Sequence, residues 1–137
     1  MKWYMKMNKY EYKQVLILRK DLEMRKGKMI AQGAHASLKA ILESVNMGQG
    51  NCDPALKIHP YIEGWLMDRF AKIAVYVDSE EELLDIYKQA VNAELPCSLI
   101  EDAGFTEFNG VPTYTAVAVG PGPIDLIDTI TKELKLL

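Results

Sequence analysis

Residues 13–44, KQVLILRKDLEMRKGKMIAQGAHASLKAILES, decide the fold. Positions 14–19 (QVLILR) form an almost unbroken apolar run, the pattern of a central strand buried on both faces. A polar, basic loop follows at 21–28 (DLEMRKGK), and 29–44 then has helical spacing. Ile30, Gly33, Ala34, Ser37, Leu38 and Ile41 make one small and apolar face, which predicts close packing of this helix on a sheet. Strand, loop and helix in that order are the repeating unit of an α/β protein.

The rest of the chain extends the same alternation. Residues 46–57 (NMGQGNCDPALK) read as loop. A short helix is predicted over 61–70 with Ile62, Trp65, Leu66 and Phe70 turned inward, then a second strand over 72–77. The helix at 79–93 has Ser79 as N-cap and Glu80, Glu81 and Glu82 in its first turn, where carboxylates favour the positive end of the helix dipole. Pro96 punctuates the chain before a third strand at 97–100. A polar loop leads to a fourth strand at 114–119, the GPGP at 120–123 breaks the chain, and 124–136 closes as an amphipathic helix. The order β-α-α-β-α-β-β-α predicts a three-layer α/β/α sandwich on a mixed four-stranded sheet, its antiparallel part supplied by strands three and four. Residues 1–12 read as an N-terminal extension and 13–137 as a single domain.

Composition bounds the class. The chain has 137 residues, 49% hydrophobic and 26% charged. These are the values of one globular domain and exclude a disordered or collagen-like chain. No apolar run is long enough to span a membrane. The start, MKWYMKMNKYEYK, carries lysines throughout and no apolar segment of a secretory signal. Cys52 and Cys97 are too few for a disulfide framework and wrongly spaced for zinc, and His35 and His59 add too little to make a zinc site. A soluble, reduced, cytoplasmic protein without metal or cofactor is expected. The net charge of −3 hides an asymmetry, because residues 1–40 hold ten Lys/Arg against three Asp/Glu. A basic third on an acidic body can present a local positive patch to a polyanion, although charges also cluster by chance.

Several chemistries are absent. There is no P-loop, no GxGxxG after a strand, no GxSxG, no HExxH and no CxxC. Two clusters remain. In the first, the start of the helix exposes unpaired amides and the positive dipole end, with Arg25, Lys26 and Lys28 crowded there. Lys28, Gln32, His35 and Lys39 project as one polar ridge of about 60°. That ridge reads equally as a solvated face, and His35 as a half-buried structural histidine. The second cluster is IEDAGFTEFNGVPTYTAVAVGP at 100–121. Asp102 stands just past a buried strand, and Thr106, Thr113 and Thr115 supply hydroxyls. An aspartate beside hydroxyls and a lysine can orient water and stabilise an oxyanion. The threonines equally suit strand propensity, and Asp102 a turn. Thr115 is expected on the opposite side of the pleat from Tyr114 and Ala116.

The ordered segments KQVLILRKDLEMRKGKMIAQGAHAS (13–37), SEEELLDIYKQAVNAELPCSLIEDAG (79–104), TAVAVGP (115–121) and a final LKLL make the chain resemble the type II peptidyl-tRNA hydrolases over nearly its whole length. The resemblance implies an α/β fold with a mixed sheet and cleavage of the ester between a peptide and the 3′ ribose of tRNA. It implies no metal, and a partner that is peptidyl-tRNA or, as in many family members, a second copy in a homodimer. It places the family's helix-start lysine on Lys28, its glutamine and histidine on Gln32 and His35, its turn aspartate and threonine on Asp102 and Thr106, and its strand threonine on Thr115, with Thr113 two positions earlier. Two positions depart from the pattern: Phe105 stands for an arginine and Glu107 for a frequent glutamine. Both changes weaken local attraction for phosphate, while Phe105 offers a stacking face to the terminal adenine. Lys28, Asp102, Thr106, Thr115 and His35 are therefore expected to be catalytic, and Gln32, Arg25, Lys26, Thr113 and Phe105 to bind substrate. The Lys- and aromatic-rich residues 1–12 read either as a nucleic-acid arm or as a frayed terminus. A silent tRNA- or protein-binding relative and a hydrolase of smaller acyl esters are the alternatives.

Overall fold

The central run becomes strand β1 (Tyr12–Arg19) in the computed structural model, which describes residues 11–45, 58–105 and 107–137. Strand β2 (Lys72–Val77) lies parallel to β1 on one side and β4 (Thr113–Pro123) antiparallel on the other. Strand β3 (Cys97–Asp102) pairs antiparallel with β4, and β5 (Lys135–Leu136) with β2, giving the order β3-β4-β1-β2-β5. Both faces of β1 are covered, which is why its sequence is apolar at nearly every position.

The sheet divides two cores. Val15, Ile17, Val75, Val77, Val117 and Val119 pack against Leu83, Ile86 and Ala90 of α3 (Glu80–Asn92) and Ile127 of α4 (Ile124–Thr131). On the other face Leu18, Ile100, Ala116 and Ala118 meet Ala36 and Ala40 of α1 (Lys26–Ser44). Alanines on both sides let α1 lie close on the sheet. Helix α2 (Pro60–Met67) packs against β4 and β1, with Ile62 and Trp65 buried. Ser79 caps α3 as expected, its hydroxyl accepting from Glu82 N. The predicted order and layers are present.

The differences are local and have physical causes. The sheet has five strands, because the last helix stops at Thr131 and the chain turns onto the open edge of β2, where Leu137 N donates to Ala74 O at 3.0 Å. The GPGP stretch does not end the fourth strand. Pairing with β1 continues to Pro123 across a register shift, and Gly120, at φ +97°, sits where a Cβ would meet Lys13 O at 2.8 Å. Leu66 and Phe70, expected inside, are 46% and 48% exposed. Helix α1 begins at Lys26, three residues early, and the face it buries is Gln32, Gly33, Ala36 and Ala40. That is the predicted face displaced by one residue, about 100° around the helix. Polar anchors hold it there: Ser98 Oγ donates to Ala36 O at 2.7 Å, and Gln14 Nε2 to Ser37 O at 3.2 Å. The predicted loop at 46–57 and nearly all of the N-terminal extension lie outside the described residues.

Candidate active site

Lys28, in the first turn of α1, and Asp102, the last residue of β3, meet across 74 positions of sequence, with Lys28 Nζ donating to Asp102 Oδ1 at 2.8 Å. Both side chains are largely buried, at 14% and 16% exposure. Gln32, one turn along α1, extends Nε2 toward the same Oδ1 at 3.4 Å. The other carboxylate oxygen accepts from Gly104 N at 2.9 Å. The Lys28 hydrogen bond, with smaller help from Gly104 N, the Lys28 charge and Gln32, outweighs desolvation and holds the Asp102 carboxyl below its ordinary value of 3.8. The carboxylate is therefore ionised at neutral pH and weakly basic, suited to orienting water or a cation more than to taking a proton.

Thr115 closes the network from the sheet. Its hydroxyl donates to Gln32 Oε1 at 2.5 Å, and the residue is fully buried. Strict alternation would put Thr115 opposite Ala116, yet both face α1. The pairing of β3 with β4 slips here, since Ile100 pairs with Ala116 and Glu101 with Tyr114, leaving Thr115 as the extra residue of an irregularity in the ladder. A bulge of this kind re-aims a side chain. The expected placement of Thr115 is thus corrected, for a reason that residue spacing does not reveal.

The remaining predicted residues divide. Arg25, the N-cap position of α1, reaches across to the loop between β3 and β4, where its Nε donates to Glu107 Oε1 at 2.9 Å. Phe105 stands on that loop at 90% exposure. Thr113 turns its hydroxyl back to Val111 O at 2.8 Å and does not join the network. Lys26 lines a groove on the other flank of α1, with Leu16, Leu18 and Ile30. The polar ridge splits, since Gln32 is buried while His35 and Lys39 stay exposed, Lys39 Nζ donating to Leu99 O at 2.9 Å. His35 lines a groove with Leu38 and Ile100 and is not among Asp102's hydrogen-bond partners. Thr106 lies outside the described residues.

Sequence reasoning missed two contributors. Glu107 reads as a lost attraction for phosphate, but it is the partner of Arg25. Phe108 packs against the core of Leu18 and Met24, and Lys28 Nζ lies 5.8 Å from its ring centre. An aromatic two residues past the turn threonine is the only signal that could have marked it. Burial, and then the Glu43 charge, push the Cys97 thiol up to about 11, which keeps it protonated at neutral pH. Among the described residues no three His, Cys, Asp or Glu gather as metal ligands, and no helix is long and apolar enough to cross a membrane.

Known proteins resemble this chain over almost its whole length. Residues 12–137 match the family described as Peptidyl-tRNA hydrolase PTH2. The chain belongs to that family. Similar members include a peptidyl-tRNA hydrolase of Methanocaldococcus jannaschii, 45% identical over 91% of this chain and 99% of its own length. Those of Aeropyrum pernix and Thermococcus sibiricus are 40% and 37% identical, over 91% and 93% of this chain and 95% and 99% of theirs. Family membership covers every element from β1 to β5, so the Lys28, Gln32, Asp102 and Thr115 network lies wholly within the matched region.

Proposed function

We propose a division of labour for the reaction of this family, hydrolysis of the ester that joins a blocked aminoacyl or peptidyl group to the 3′ ribose of tRNA. The reading of a silent relative is not favoured. Such an ester is activated, so the chain must supply an oriented water and a cation for the tetrahedral oxyanion. Asp102 and Thr106 hold the water. Lys28 carries the stabilising charge, and Asp102 fixes its ammonium at the start of α1. Gln32 and Thr115 are positioning residues: the buried hydroxyl orients the amide, and the amide orients the carboxylate. Thr115 is not the nucleophile, because it is shielded from substrate and its proton is committed to Gln32. His35 receives no proton-transfer role. Arg25 and Phe105 flank the site as contacts for phosphate and for the terminal adenine of the single-stranded acceptor end. Residues 13–137 act as one domain to which 1–12 are appended, and the substrate places the activity in the cytoplasm.

The observation that carries this reading is the shared carboxylate oxygen of Asp102, reached by both Lys28 and Gln32. Release of the acyl group from N-acetyl-aminoacyl-tRNA, with free aminoacyl-tRNA as control, tests it. Cleavage of the blocked substrate alone is expected. Equal cleavage of a small acyl ester without tRNA would favour the general esterase.

A second copy of the chain is the proposed partner in solution. Ile30, Ala34, Leu38 and Leu42 recur every fourth residue on the outer side of α1, with Ile30, Leu38 and Leu42 at 74%, 57% and 45% exposure. The ridge runs between two apolar grooves of about 410 and 400 Å³. A ridge of this spacing fits the groove of an identical helix.

A further inference from the structure

The loop joining β3 to β4 stands beside the network and is attached to α1 by an ion pair. Two neighbouring residues fix it. Phe108 packs against the core, and Glu107, its side chain only 14% exposed, accepts from Arg25 Nε at 2.9 Å. Within the loop, Gly110 N donates to Gly104 O at 2.8 Å and Val111 N to Phe108 O at 2.9 Å. Arg25 itself is 82% exposed, and Glu107 is its only hydrogen-bond partner among the described residues, through Nε alone. Both terminal amino groups of the guanidinium are thus left for a further acceptor. A guanidinium anchored at one edge presents those donors as a planar fork, the geometry that a phosphate takes in two parallel hydrogen bonds.

Two effects of the carboxylate oppose each other. Its charge repels a polyanion, and its hydrogen bond orients the arginine that attracts one. The guanidinium at 2.9 Å offsets much of the repulsion from this largely buried carboxylate, whereas orientation spares the flexible arginine some of the entropy lost on binding. Resting on the reading of the chain as an enzyme of tRNA, we infer that Glu107 is a positioning residue, which holds Arg25 as a bidentate clamp for a backbone phosphate of the substrate's acceptor end. The carboxylate, which the sequence presents as a loss for substrate affinity, then supports it.

Binding of deacylated tRNA across a salt series tests the inference for wild type, Glu107→Ala, Glu107→Gln, Arg25→Ala and the double alanine variant, each checked by thermal melting for an intact fold. Glu107→Ala is expected to raise Kd about fivefold, the worth of one oriented hydrogen bond. Arg25→Ala should lower the slope of log K against log salt by about 0.7, the share of one phosphate contact on a single strand. The double variant should bind no more weakly than Arg25→Ala, and Glu107→Gln, which keeps an acceptor oxygen, should bind as wild type does. Unchanged or tighter binding by Glu107→Ala would overturn the inference and leave the carboxylate a plain repulsive charge. Glu107→Gln behaving like Glu107→Ala would do the same. Wild type that binds tRNA but cleaves no blocked substrate would defeat the enzymatic reading while leaving the comparison of Kd values decisive for Glu107. Wild type that binds no tRNA would overturn both.

Discussion

Lys28 and Asp102 share a 2.8 Å hydrogen bond that ties the first turn of α1 to the end of β3, and Gln32 shares the same carboxylate oxygen. Each of the three needs the others for its orientation, so their substitutions are expected to be non-additive.

Replacing Lys28 with alanine removes the cation that faces the developing oxyanion. Turnover of N-acetyl-aminoacyl-tRNA is expected to fall about 10²–10³-fold, the usual loss for one oxyanion donor, while circular dichroism shows a folded protein. Wild-type turnover in this variant would remove Lys28 from the mechanism.

Thr115→Val keeps the shape of the side chain and deletes its proton. Gln32 Oε1 then loses its buried donor, which should cost about 1–3 kcal/mol of stability, read as a lower midpoint in urea. Thr115→Ser should restore both stability and rate. A valine variant with full rate would show that orientation of Gln32 is not limiting.

Asp102 has its carboxyl held below the ordinary 3.8, chiefly by the Lys28 hydrogen bond. Because the folded value is the lower one, its contribution to stability is complete above pH 3.8 and fades as the pH falls through the folded value. The stability gap between wild type and Asp102→Asn should therefore be constant near neutrality and close in strong acid. A gap that opened only at alkaline pH would contradict the assignment.

Gly104 supplies the φ of +85° that lets the chain turn immediately after the carboxylate, and a Cβ there would collide with the backbone of Val111. Gly104→Ala should cost about 1–3 kcal/mol through backbone strain. It should also reduce turnover by displacing the amide that holds Asp102 Oδ2.

The outer ridge of α1 predicts an association constant that one charge can destroy. Wild type should sediment at twice the 15.5 kDa chain mass, and Leu38→Glu at the chain mass with an unchanged melting temperature. A monomeric wild type would leave the ridge without this role.

The alternation of apolar runs and helical spacing determined the α/β class, the order of the elements and the central place of QVLILR, because a strand buried on both faces has little choice of composition. It also brought Lys28, Gln32, Asp102 and Thr115 into view, since each stands at a strand end or helix start, or in a matching motif. Tertiary structure decided what these positions do. Ile30 and Leu38 look like core by periodicity, yet the helix is turned about one residue further, because Gln32, Ala36 and Ser37 have polar partners on the sheet that an apolar count cannot weigh. Thr115 reaches Gln32 only because the β3–β4 pairing slips at Ile100, and Glu107 became a partner of Arg25 through a contact spanning 82 positions. Hydrophobic periodicity is a local signal along one element, whereas register shifts and ion pairs are set by how two distant elements meet.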